Sequence, residues 1–125
     1  MSTTAYKILL FMKRRPGMTM AEFIDYYENH HVPLALKYGS SMAGYTRRYL
    51  TPQPNAATGQ TDELPYDVIT ELSYDDETTF QRTLAYLSTS AMPEEIVEDE
   101  KRLFDRTKQR MATVIEHSTQ PKPKT

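Results

Sequence analysis

Apolar and polar positions along this chain follow the two-residue repeat of a strand in some segments and the 3.6-residue repeat of a helix in others. Apolar, β-branched and aromatic residues predict strands at 6–13, 45–50, 66–74 and 110–117. Helical spacing over 19–39 predicts a helix between the first two strands. Two further helical patterns precede the last strand, and their apolar faces carry Phe80, Leu84 and Leu87, and then Ile96, Val97, Glu100, Leu103 and Phe104.

Local signals mark where these helices begin. Thr19 can cap the first helix, and Glu22, three residues later, completes a capping box. Asp75 and Asp76 can cap the second helical pattern, and Pro93 can open the third. The predicted order is therefore β-α-β-β-α-β, the split pattern of a ferredoxin-like α+β fold, with a four-stranded antiparallel sheet and helices on one face.

The first predicted strand is apolar on both of its faces. Ile8, Leu10 and Met12 point to one side of the sheet, and Leu9 and Phe11 point to the other. Helices on one side can cover only one of these faces, and leaving the other wet would forfeit several kcal/mol at about 25 cal/mol per Å². We therefore predict a homodimer in which the sheets of two copies pair, as in a dimeric α+β barrel.

Length, charge and composition restrict the domain count and the class of partner. The 125 residues predict a single domain over 5–117 with tails at 1–4 and 118–125. A net charge of −2 and a pI near 5.9 argue against nucleic acid or an anionic membrane as a partner. The chain has no cysteine, no apolar run of about 18 residues and no signal-peptide pattern. We expect a cytoplasmic protein.

The helix predicted over 19–39 carries the most informative pattern. One face of it holds Phe23, Tyr27, His31, Leu34 and Tyr38. His31 thus places a titratable imidazole on a stripe that otherwise resembles core, whereas His30 falls on the flank, closer to solvent. Pro33 is expected to bend or restart the helix. The spacing alone supports a structural imidazole as well as a catalytic one.

The segment KRRPGMTMAEFIDYYENHHVPLALKYG resembles the EthD-type domain of the dimeric α+β barrel superfamily. The matching features are a basic-Pro-Gly turn at 13–17, Thr19 with Phe23, the aromatic pair Tyr26 and Tyr27, and His31 with Pro33. The resemblance continues through GYTRRY and VEDEKRLFD, and so covers about Tyr6 to His117. Relatives often have Trp where Tyr27 stands, a departure that could reshape the pocket.

The resemblance implies a pocket between the helices and the sheet that works without a cofactor. Relatives include bacterial proteins of uncertain role and small fungal enzymes that look like dehydratases or decarboxylases of aromatic polyketides. Related barrels include anthrone-type monooxygenases and polyketide cyclases. The expected partner is therefore a small aromatic polyketide, and the expected reaction is a lyase reaction.

Dehydration of a hydroxy ketone or hemiketal needs one group to remove an acidified C–H proton and one to protonate the departing hydroxyl. His31 is the first candidate, because an imidazole can do either near neutral pH. Tyr27, one turn earlier, is placed to bind the enolate oxygen, and Asp67 could orient the imidazole. The predicted substrate-contacting side chains are Phe23, His30, Tyr49, Tyr38 and Phe11.

Other chemistries have weaker support in the sequence. His30 and His31 are direct neighbours and would point about 100° apart on a helix, so we predict no metal site, although haem occurs in barrels of this superfamily. The acidic stretch at 94–100 is interpreted as a solvated helix face. Decarboxylation would benefit from a cation, for which Lys13, Arg47 and Lys37 are the candidates. A cofactor-independent oxygenase and a non-catalytic carrier remain as alternatives to the lyase.

Overall fold

The computed structural model describes residues 6–89 and 92–123. The elements along the chain are β1 (Tyr6–Met12), α1 (Met20–Tyr26), a π-helical turn (Tyr27–His31), α2 (Val32–Tyr38), β2 (Gly44–Tyr49), β3 (Val68–Tyr74), α3 (Glu77–Leu87), α4 (Glu94–Leu103), a 3-10 turn (Arg106–Lys108) and β4 (Arg110–Thr113). No helix among the described residues is both long enough and apolar enough to cross a membrane.

The four strands form one antiparallel sheet in the order β2-β3-β1-β4. The predicted ferredoxin-like arrangement is therefore confirmed. The register places Leu10 of β1 opposite Thr70 of β3, and Thr70 opposite Arg47 of β2. On the other side of β1, Leu10 lies opposite Met111 of β4. These positions share the sheet face that the helices cover.

The helix starts follow the local signals in the sequence. Thr19 caps α1 through a capping box, since its hydroxyl accepts from the Glu22 N–H at 3.1 Å and the Glu22 carboxylate accepts from the Thr19 N–H at 2.9 Å. Asp76 caps α3 by accepting from the Thr79 N–H at 2.8 Å. Pro93 immediately precedes α4, as expected. These interactions satisfy N–H groups that a helix start leaves free.

Two hydrophobic clusters lie between the helices and the sheet. The first consists of Met12, Phe23, Tyr27, Val68, Leu103 and Phe104, and the second of Ile8, Leu72, Tyr74 and Phe80. Leu10 and Tyr45 are only partly buried and pack against both clusters. The space between the clusters at Leu10 and Tyr45 is where the main cavity opens.

The last strand is shorter than predicted. β4 ends at Thr113 instead of continuing to His117, and all four of its residues are exposed. Ile115, beyond its end, is 91% exposed. The prediction of a strand over 110–117 is therefore wrong beyond Thr113. β4 is an edge strand of the sheet and pairs with β1.

The ends of the predicted domain are only partly described. The predicted tail at 1–4 lies outside the described residues, and so do 124 and 125 of the other tail. Residues 118–123 are exposed and carry no regular structure.

Candidate active site

A cavity of about 380 Å³ lies between the sheet and the helices. Its size falls in the range of small-molecule sites, and most of its lining is apolar or aromatic. The polar and titratable side chains that matter for chemistry are few, and among the described residues they include Tyr27, His31, Tyr45, Thr70, Arg82 and Glu100.

The π-helical turn presents Tyr27 and His31 to this cavity. Its widened geometry is marked by the Val32 N–H, which donates to the Tyr27 carbonyl five residues back. Pro33 follows at the second position of α2; it has no N–H, and its ring would collide with the carbonyl of Asn29 in a continuous α-helix. Widening the helix relieves this conflict, and such turns are frequent at functional sites. The expectation that Pro33 restarts the helix is confirmed.

His31 is held by a carboxylate from α4. Its Nδ1 lies 2.8 Å from Asp99 Oδ2, and both side chains are buried. The second oxygen of Asp99 accepts from the Tyr26 hydroxyl at 2.6 Å. Because an ionised carboxylate can only accept, Nδ1 of His31 carries the hydrogen. The Nε2 atom is therefore the ring nitrogen left to meet a ligand in the cavity.

Burial sets the protonation state of His31. It lowers the pKa of the imidazole below its usual value, although the contact with Asp99 acts in the opposite direction. At neutral pH the ring is therefore neutral, with a lone pair on Nε2. This is the state that a general base requires.

Hydroxyl groups line the cavity next to His31. The Tyr27 hydroxyl lies 2.6 Å from Thr70 Oγ1, and the rings of Tyr27 and His31 meet edge to face at 5.1 Å. Burial raises the pKa of the Tyr27 phenol well above its usual value, and it also raises the pKa of Tyr45. Both phenols therefore stay protonated and can donate hydrogen bonds to a developing oxyanion.

Glu100, the neighbour of Asp99 on α4, also lines the cavity. Burial raises the pKa of its carboxyl group, and the nearby charge of Asp99 acts in the same direction. Arg106 opposes this shift, with its Nε 3.6 Å from Glu100 Oε1. The cavity thus holds a second titratable group with a displaced pKa.

The structure places three of the sequence-predicted site residues at the cavity and the others elsewhere. Tyr27, His31 and Tyr38 line it, and Tyr38, 46% exposed, donates to Glu95 Oε2 at 2.6 Å. The remaining four predicted contacts do not line the cavity. Phe23 is fully buried in the core, and His30 stacks on Tyr26 at the surface. Tyr49 donates a hydrogen bond to Glu28, and Phe11 stacks on Tyr66 on the opposite face of the sheet.

Asp67 does not orient the imidazole. Its Oδ2 accepts from the Arg14 N–H at 2.9 Å and lies 3.4 Å from Lys13 Nζ, so it stabilises the turn after β1. The residue that meets His31 is Asp99, from the acidic stretch interpreted as a solvated face. That interpretation is wrong for Asp99, which is 6% exposed, and for Glu100, which is partly buried.

One signal in the sequence could have identified Asp99 and Glu100. They lie between Ile96 and Leu103 at the three- and four-residue spacing of the buried face of α4. A charged residue within such an apolar stripe needs a partner, and His31 is the titratable residue in the matching position on the facing helical segment. Convergence of three His, Asp or Glu side chains on a common point, as a metal site needs, is not seen within 6–89 and 92–123.

A family model described as the EthD domain matches residues 15–107. The chain belongs to the EthD domain family. The resemblance predicted from the turn at 13–17 and the helix that follows it is therefore confirmed.

Solved structures show the same fold for this EthD-domain chain. An EthD family protein from Bacillus halodurans C-125 is 17% identical with a TM-score of 0.59, and the match covers 91% of this chain and 100% of that one. An EthD-like protein from Ralstonia eutropha JMP134 is 19% identical with a TM-score of 0.51, over 92% and 90% of the two chains. A hypothetical Arabidopsis thaliana protein is 14% identical with a TM-score of 0.57, over 95% and 94%. No curated protein sequence matches the EthD-domain chain.

Proposed function

We propose that this EthD-domain protein is an acid–base lyase that dehydrates a hydroxy ketone of the aromatic polyketide class. The observation that carries the proposal is the contact between His31 and Asp99 at the wall of an apolar cavity. It supplies a neutral imidazole of defined tautomer where a substrate can be shielded from water. Acid–base groups of this kind typically contribute ~10² to 10⁴-fold to a rate.

The reaction begins at a carbon next to the substrate carbonyl. Nε2 of His31 removes a proton from this carbon, and the electron pair moves to the carbonyl oxygen to form an enolate. Burial keeps the phenols of Tyr27 and Tyr45 protonated, so they can donate hydrogen bonds to the enolate oxygen as an oxyanion hole does. When the enolate collapses, the C–O bond to the β-hydroxyl breaks and an acidic group at the cavity gives its proton to the departing oxygen, so that water leaves and a C=C bond forms. The proton held by His31 then restores that acid. The reaction as written requires no cofactor.

The lining of the cavity supports an aromatic substrate. Leu10, Met12 and Leu72 form an apolar floor from the sheet, and Tyr74 and Tyr86 add flat aromatic surface. A polycyclic ring system can stack on such walls without hydrogen bonds of its own, while its oxygens meet the few hydroxyl groups. This combination favours a planar, oxygenated ligand over a sugar or a nucleotide.

The direct test is mass spectrometry of a panel of aromatic polyketides incubated with the protein, with and without O₂. We expect loss of one water that does not depend on O₂. Gain of oxygen only in air would assign the chain to the cofactor-independent oxygenases instead. Tight binding of a compound without conversion would assign it to the carriers.

Two histidine variants connect the activity to the site. His31→Ala is expected to abolish turnover while leaving the fold intact. His117→Ala is the matched control, because His117 is exposed beyond β4 and is expected to leave turnover unchanged. His30→Ala is expected to be milder than His31→Ala, since His30 stacks on Tyr26 at the surface. Full activity of His31→Ala would refute the proposed mechanism.

Decarboxylation of an aromatic acid is the second candidate, and one observation favours it. Arg82 of α3 lines the cavity and could hold a substrate carboxylate. The cations considered from the sequence have other partners: Lys13 pairs with Glu63 at 2.6 Å, Arg47 with Glu28 at 2.6 Å, and Lys37 with Glu95 at 3.2 Å. Loss of CO₂ in the same experiment, reduced by Arg82→Gln, would favour this candidate over dehydration.

We also propose that the protein works as a homodimer in which two copies pair through the sheet face opposite the helices. Leu9, Phe11 and Ile69 of this face remain partly exposed in one copy. Glu71 lies within 4 Å of Lys7 and of Arg48 on the same face, at 3.7 and 3.4 Å, so its charge is balanced before association. Light scattering should give about twice the chain mass of 14.5 kDa. A Phe11→Lys variant should shift the population to monomer.

A further inference from the structure

α4 supplies two neighbouring carboxyl groups that have different surroundings. Asp99 is engaged by His31 and by Tyr26, both at hydrogen-bond distance. Glu100 is the next residue, turned about 100° around the helix axis, and it lines the cavity that His31 also lines. α4 thus carries Asp99, which holds the imidazole of His31, and Glu100, which lines the same cavity as that imidazole.

The carboxyl group of Glu100 is partly buried and forms an ion pair with Arg106 at a long distance. Arg106 Nε lies 3.6 Å away, beyond normal hydrogen-bond distance. The side chain of Gln109 is also near Glu100, with its Nε2 buried, and like Arg106 it acts to lower the pKa of Glu100. Asp99 on the same helix and Tyr45 on β2 are the other titratable groups close to Glu100. Burial outweighs the cation, so the pKa of Glu100 is raised and the protonated form persists to higher pH than in an exposed glutamate.

We propose that Glu100 is the proton donor to the leaving hydroxyl, acting opposite His31 as the base. The inference rests on the proposed dehydratase function and assigns the acid that this function needs. His31 Nε2 takes the proton from the carbon next to the carbonyl, the C–O bond to the β-hydroxyl breaks, and the Glu100 carboxyl gives its proton to the departing oxygen. Water leaves, a C=C bond remains, and the proton on His31 returns to the Glu100 carboxylate through solvent.

Two separate groups offer an advantage over His31 acting alone. A single imidazole would have to take a proton from carbon and then deliver it to oxygen on the same face of the substrate. A base from the π-helical turn and an acid from α4 can act on two positions of a bound ring system at once. The pairing of a base of lowered pKa with an acid of raised pKa is a common arrangement for such chemistry.

The test compares two leaving groups in three variants. Hydroxide needs a proton to leave, whereas fluoride leaves as an anion, so a β-fluoro ketone depends less on a general acid. Glu100→Gln is expected to lose ~10²-fold or more in kcat on the hydroxy ketone while retaining most of the rate on the fluoro ketone. His31→Ala should lose both reactions. Glu98→Gln, on the exposed side of α4, is the matched control and should retain both.

The pH profile gives a second readout. Activity of the wild-type protein should rise with pH as His31 loses its proton and fall again as Glu100 loses its own. Glu100→Gln should lose the falling limb and keep the rising one. If Glu100→Gln turns over the hydroxy ketone at the wild-type rate with an unchanged profile, the role of Glu100 is refuted while the lyase function stands. If the wild-type protein eliminates from neither substrate, the lyase function and the role of Glu100 fail together.

A titration that does not need turnover completes the test. Carboxyl ¹³C chemical shifts of the glutamates, followed by NMR from acid to neutral pH, should show one group titrating above the others. That signal should be missing in Glu100→Gln and present in Glu98→Gln. Titration of Glu100 together with the exposed glutamates would overturn the inference.

Discussion

His31 Nδ1 and Asp99 Oδ2 lie 2.8 Å apart, although 68 positions separate the two residues in the chain. The contact joins the π-helical turn to α4 and leaves Nε2 of the imidazole for the cavity. Tyr26, one turn before His30 on the same helical segment, donates to the other oxygen of Asp99 at 2.6 Å. A buried carboxylate thus receives one donor for each of its oxygens, which is what makes its burial tolerable.

Asp99→Asn should lower kcat by ~10²-fold or more, because an amide can donate to Nδ1 and so stabilise the wrong tautomer of His31. The KM should change less, since Asp99 does not line the cavity in the described part of the chain. Tyr26→Phe is the control: it removes the other partner of Asp99 and keeps the contact with His31. Equal losses in the two variants would mean that Asp99 acts only by holding the helices together.

The stability of the protein should depend on pH through His31. Burial lowers the pKa of this group below its ordinary value of 6.5, so the unfolded chain takes up the proton first as pH falls. The stabilising contribution is present above about pH 6.5 and is lost as pH falls through the lowered pKa of the folded state. The difference in Tm between the wild-type protein and His31→Gln should therefore decrease from about pH 7.5 to about pH 5.5. A difference independent of pH would contradict this assignment.

Glu100 should make the protein less stable as pH rises, which is opposite to the effect of His31. Its pKa in the folded state is raised above 4.5, so the folded protein holds the proton more tightly than the unfolded chain. Its contribution to stability is present below about pH 4.5 and is lost as pH rises through the raised pKa. Glu100→Gln should therefore raise the Tm relative to the wild-type protein, and more at about pH 8 than at about pH 4.5. Glu98→Gln should show no such trend.

The contact between the hydroxyl groups of Tyr27 and Thr70 should be measurable as a coupling in the free energy of unfolding. Tyr27 and Thr70 are each almost fully buried, and their hydroxyl oxygens lie 2.6 Å apart. Tyr27→Phe and Thr70→Val should each destabilise the protein by about 1–2 kcal/mol, since each leaves a buried hydroxyl without its partner. The double variant should cost less than the sum of the two in urea unfolding. If the hydroxyl of Tyr27 also contacts the enolate, Tyr27→Phe should lower kcat more than substrate binding.

The stability of the protein should depend on the contacts that attach the π-helical turn to β2. Glu28 accepts from Arg47 at 2.9 and 2.6 Å through two nitrogens, and it also accepts from the Tyr49 hydroxyl. Glu28→Ala should destabilise the protein by about 1–3 kcal/mol, because three donors lose their acceptor. The exposed pair of Glu98 and Lys101 supplies the comparison, and Glu98→Ala should cost well under 1 kcal/mol.

Apolar periodicity in the sequence predicted some of the site residues but not the partner of His31. The spacing of Phe23, Tyr27 and His31 predicted a buried imidazole, and the structure buries all three. The prediction that Asp67 orients His31 placed it in the third strand, but the sequence did not indicate which way its side chain faces. Asp67 lies instead at the turn after β1, where it accepts from the Arg14 N–H.

The chain by itself determined its elements, their order and the membership of the EthD domain family, because capping residues, apolar periodicity and the turn at 13–17 are local properties of the sequence. Only the tertiary structure decided which carboxylate meets His31, how far β4 extends and which aromatic residues reach the cavity. These outcomes depend on contacts between segments far apart in the chain. For Asp99 and Glu100, the spacing along α4 indicates the buried face, but the facing helical segment determines which partner each carboxyl group meets, and that partner is far away in the chain.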